Sequence, residues 1–87
     1  MTPEEKETLK KLLHRTWNYI GDDVYGTVSR NEVWELSVDR AYSHVETPEE
    51  RRVLDLYFKE SPTMAKAAKE KLKREIFSYK WYEGGRP

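Results

Sequence analysis

The chain has 87 residues, net charge zero and no cysteine, with 37% hydrophobic, 37% charged and 13% aromatic residues. Disulfides, thiolate metal sites and thiol nucleophiles are thereby excluded. The aromatic content argues against disorder, and a charge balance of zero argues against generic binding to a polyanion. With only seven Leu, six Val and two Ile, the eleven aromatic side chains must supply much of the core. The charge is unevenly spread. Residues 1–20 carry +1, residues 21–60 carry −5 and residues 61–87 carry +4, an acidic middle followed by a basic end. The first twenty residues are charged throughout and hold no long apolar run, which predicts neither a signal peptide nor a membrane span. The expectation is a cytoplasmic chain forming one helical domain over residues 1–87, with a short flexible tail from about residue 83.

The first helix is expected over 3–20. Thr2-Pro3-Glu4-Glu5 places a hydroxyl at the N-cap, proline at the first helical position and a glutamate at the third. Leu9, Leu12, Leu13, Thr16, Trp17 and Ile20 recur at helical spacing and define its buried face. His14 lies off that stripe and reads as solvated or capping. Gly21-Asp22-Asp23 ends the helix and Tyr25-Gly26 marks a turn. The segment Gly21–Glu32 has the length of a helix-flanked calcium loop. Gly21 and Tyr25, however, stand where two oxygen ligands would be needed, so it reads as a plain connection.

A second helix is expected over 30–44, started by Ser29-Arg30-Asn31-Glu32 and burying Trp34, Val38, Ala41 and Val45. Val33 and Leu36 lie off that stripe, which implies packing on more than one side. His44 falls near its end and reads, like His14, as solvated or capping. A third is expected over 48–59, started by Thr47-Pro48-Glu49-Glu50 and presenting Val53, Leu54, Tyr57 and Phe58. The Thr-Pro-Glu-Glu starts at 2 and 47 do not extend into a repeat. Residues 47–58 resemble the opening helix of sigma-factor-type helix-turn-helix domains. That resemblance implies a turn at Glu60-Ser61 and a reading helix offering Thr63, Lys66 and Ala67 to a DNA groove. The chain departs from the pattern in having no glycine in that turn and a longer last helix.

The last helix is expected over 62–82, from Ser61-Pro62 to Gly84-Gly85. At 100° per residue Ala65, Ala68, Leu72, Ile76 and Tyr79 form one stripe. Phe77 and Trp81 point nearly the other way, with Lys66, Lys73 and Lys80 alongside. The fold expected is therefore an all-α bundle of four helices.

No histidine pair, nucleophile elbow or phosphate-cradling glycine loop is present, and the reading is a non-enzymatic chain without metal or cofactor. The function expected is protein binding, as an adaptor, regulator or inhibitor. The expected surface joins Lys73, Arg74, Phe77, Lys80, Trp81 and Tyr82, because Trp and Tyr anchor interfaces and Lys stems cover their edges. Asp39, Glu46, Glu49, Glu50 and Asp55 form a second, acidic surface suited to a basic partner. Two alternatives stand beside it. One is nucleic-acid binding through the basic last helix. The other is a structural homo-oligomer with the same rings at a two-fold interface.

Overall fold

The computed structural model describes residues 1–20 and 30–77, with the side chains of Arg30 and Asn31 left aside. Within that range the chain forms four helices: α1 Pro3–Ile20, α2 Arg30–Arg40, α3 Pro48–Glu60 and α4 Lys66–Ile76. Short 3₁₀ turns follow α2 at Ala41–His44 and α3 at Ser61–Thr63. The fold is all-α, and no helix among the described residues is long and apolar enough to cross a membrane.

Helix α1 begins with a complete reciprocal cap. The Thr2 N–H donates to Glu5 Oε1 at 2.8 Å, and the Glu5 N–H donates to Thr2 Oγ1 at 3.1 Å. Helix α3 begins with half of one. The Glu50 N–H donates to Thr47 Oγ1 at 3.1 Å, while the Glu50 carboxylate accepts instead from the Glu46 N–H at 2.8 Å. The cap that the sequence places at Ser29 lies outside the described residues, as do the loop from Gly21 and the tail from residue 83.

Helix α1 is the hub, packing against α2, α3, α4 and the turn after α2. Its Leu9, Leu12, Leu13, Thr16 and Trp17 are fully buried. Thr16 is accommodated because its hydroxyl donates to the Leu12 carbonyl at 2.8 Å. Val33, Trp34, Val38 and Ala41 come onto this hub from α2 and its turn, and Val53, Leu54 and Tyr57 from α3. Val33 is as deep as the predicted stripe, so α2 is indeed touched on two sides. Trp34 meets Tyr57 edge-on, with ring centroids 5.6 Å apart, and Phe77 edge-on at 6.2 Å. Such edge-to-face contacts are the favoured geometry of aromatic quadrupoles.

Helix α4 departs from the sequence expectation at its start. Ser61 continues the α3 helix, its N–H donating to the Tyr57 carbonyl, and Pro62 sits inside a 3₁₀ turn. Met64 and Ala65 are extended, and α4 starts only at Lys66. Ala65 and Ala68, predicted to face the core, are exposed; Leu72 and Ile76 are buried as expected. By Phe77 the backbone has left helical geometry, and residues 78–82 of the predicted helix lie outside the described range.

Candidate functional site

The predicted basic-aromatic surface divides. Phe77 is fully buried, stacked on His14 with centroids 5.0 Å apart, and belongs to the core. It reaches that position because α4 ends at Ile76 and the chain bends, so the wheel that turned Phe77 outward no longer applies. Arg74 is exposed. Lys73 is largely covered and lies 3.6 Å from Glu70. Lys80, Trp81 and Tyr82 lie outside the described residues.

The predicted acidic surface also divides. Glu50 is buried, so it offers nothing to a partner. Arg15 reaches across from α1 and donates through Nη2 to both Glu50 oxygens, at 2.8 and 2.9 Å, and to the His44 carbonyl at 2.8 Å. Burial pushes the Glu50 carboxyl up, but hydrogen bonds from Arg15 and the Glu46 N–H outweigh it and hold it below the ordinary value. Glu46 lies 3.4 Å from the same guanidinium. Glu49 is paired with Arg52, which also reaches Glu5 of α1 at 2.9 Å. These three glutamates are therefore occupied in fastening the start of α3. Asp39 and Asp55 remain exposed.

Around Asp39 and Asp55 the structure assembles a group that the sequence pattern did not reveal. Tyr42, in the turn after α2, stacks on Phe58 of α3 with centroids 5.7 Å apart and planes 14° from parallel. Both rings are exposed, at 42% and 40%. The Tyr42 hydroxyl donates to Asp55, and that hydrogen bond, with smaller help from desolvation and the carboxylate's charge, raises the phenol's pKa. The Arg51 guanidinium lies 5.8 Å from the Tyr42 centroid, within cation–π range. Tyr42 is thus held by Phe58, Asp55 and Arg51. Phe58 was expected to be presented with Val53, Leu54 and Tyr57; those three are buried while Phe58 sits exposed at the edge of their stripe.

Phe58 also borders a cleft of about 260 Å³ between α2, α3 and α4. Trp34, Val38 and Tyr57 form its apolar floor. Glu35 and Asp39 stand on the α2 wall, Lys69 and Lys73 on the α4 wall. Among the described residues Glu35, Asp39 and Lys69 form no ion pair within 4 Å. Two walls of opposite sign thus face each other without closing.

Two further clefts carry less. One of about 330 Å³ runs along the other side of α4, lined by Met64, Leu72 and Ala68 with Lys6 and Glu75. The other, of about 290 Å³, lies beside Arg15, Tyr19 and His44. Tyr19 is 80% exposed and its ring tilts against His44 at 4.8 Å. No group of three or more metal-ligating side chains is gathered among the described residues. No protein-family model, curated protein or solved structure matches the chain, so a functional reading rests on this geometry.

Proposed function

We propose that this chain works by binding another protein, without catalysing a reaction, and that it binds through the face made by α2, α3 and α4. The observation that carries the reading is the exposed, stacked Tyr42–Phe58 pair at the edge of a cleft with unpaired charges on both walls. Rings held rigid before binding lose little conformational entropy on contact, and aromatic side chains dominate the energetics of protein interfaces. Charges left unpaired around them give a partner specificity and register. The reading keeps the protein-binding role expected from the sequence and moves its anchor from the end of α4 to Tyr42 and Phe58.

Nucleic-acid binding has no comparable observation behind it. Lys69 and Lys73 share their cleft with Glu35 and Asp39, and a phosphate backbone drawn to one wall would be repelled by the other.

The reading is tested by placing a photo-crosslinking phenylalanine analogue at position 58, with a control at exposed Thr63. The expected result, in extract of the host cell, is a discrete crosslinked protein at 58 that is absent at 63. Equal, diffuse labelling at both positions would reject this face as a binding surface.

A further inference from the structure

We infer that the partner of this face is a second copy of the same chain, docked about a two-fold axis. The inference rests on the protein-binding reading and names its occupant. A two-fold interface brings the same patch of both copies together, so every contact between positions i and j occurs twice. A patch of one charge sign cannot satisfy that condition, because it would meet itself. This face can, because its two walls differ in sign: Glu35 and Asp39 on α2, Lys69 and Lys73 on α4.

The spacing also matches. Each wall carries its charges four residues apart on an α-helix, about 6 Å along the axis. Laying α2 of one copy along α4 of the other therefore sets the α2 carboxylates opposite the unpaired Lys69, Lys73 being engaged by Glu70 of its own helix, and the symmetry repeats the match. The Tyr42–Phe58 stack lies beside these walls, where it meets its own counterpart and loses its exposure. Nothing global opposes the approach, since the chain carries no net charge. Within one copy the same walls are held apart by the width of the cleft, so Glu35, Asp39 and Lys69 stay available.

Sedimentation equilibrium on the full chain tests this. The wild type should move from 10.4 kDa toward twice that mass across micromolar to millimolar concentration. Asp39→Lys and Lys69→Glu should each weaken the dimer by about tenfold or more, since each creates a like-charge contact twice over. Mixing the two variants should restore dimers, because each chain then offers the sign the other needs. Circular dichroism of each variant shows that its helices are intact. A wild type that stays monomeric, or variants that fail to rescue each other while folded, would overturn the inference. If position 58 still crosslinks a discrete host protein under those outcomes, the face binds a different chain and only the self-association fails. If it crosslinks nothing, both readings fail together.

Discussion

The Arg15 guanidinium holds both carboxylate oxygens of Glu50 through a single nitrogen, at 2.8 and 2.9 Å, and so fastens the middle of α1 to the first turn of α3. Removing one partner of a buried pair leaves the other charge uncompensated, at about 3–5 kcal/mol where both are fully enclosed. Arg15 keeps about a third of its side chain in solvent, so Glu50→Ala should cost about 2 kcal/mol. That corresponds to a fall in Tm of about 10 °C for a domain of this size. Because the folded protein holds the Glu50 carboxyl below its unfolded value, the unfolded chain takes up the proton first. The contribution is full above about pH 4.5 and fades as pH falls through the lowered value. Glu50→Ala should flatten that acid limb in a thermal titration.

His14 supplies a second, separable pH dependence. Burial beneath Phe77 lowers its pKa, partly offset by its hydrogen bond to the Ile76 carbonyl, with Lys10 and Glu7 acting in opposite senses. The unfolded imidazole therefore protonates first, and stability should be full above about pH 6.5 and decline as pH falls below it. Carboxylates are still ionised in the upper part of that range, so the two effects separate. Comparing Tm at pH 7.5 and 5.5 should show a drop in the wild type that His14→Gln reduces.

Phe77→Ala should cost about 3–5 kcal/mol, the range for emptying a phenylalanine site in a core. A domain has only about 5–15 kcal/mol in total, so urea denaturation should show a midpoint shifted far toward zero. Phe77→Leu, which keeps most of the volume, should cost about 1.5 kcal/mol or less. Equal midpoints for wild type and Phe77→Ala would place Phe77 at the surface.

The two threonine caps should not be equivalent. Thr47→Ala removes an acceptor from a helix start fastened to α1 by Arg15 and Arg52, and should cost about 1 kcal/mol. Thr2 caps a more exposed first turn, which the Glu5–Arg52 pair also ties to α3, so fraying absorbs part of the loss and Thr2→Ala should cost about half as much. Thermal melts of the two single variants compare them directly.

Much of this architecture was legible from the residues. Caps at Thr2 and Thr47 announced α1 and α3, and the apolar spacing of α1 named its buried face correctly. The start of α4 was illegible for a physical reason. Ala65 occupies its N-cap position and makes no side-chain cap, so no residue marks the boundary. Ser61-Pro62 looked like a start, yet Ser61 kept helical geometry in spite of the proline after it and prolonged α3. That shift invalidated the wheel drawn for α4, and with it the outward placement of Phe77. The candidate site was hidden for another reason: the Asp39–Tyr42 stretch, Phe58 and Lys69 come from three separate segments. No local period joins residues that only the packing on α1 brings together. Glu50 was misjudged as surface because its partner, Arg15, lies thirty-five residues away in the chain.

Helix α4 is tied to α1 by Leu72, Ile76 and Phe77, by the His14–Ile76 hydrogen bond and by Lys6–Glu75 at 3.4 Å. Those last two links join positions sixty-two and sixty-nine residues apart. They close long loops among the described residues, so much of the entropy of that closure falls on α4. With clefts along both its flanks, α4 should dock last and open first, its amides exchanging with solvent ahead of those in α1 and α3.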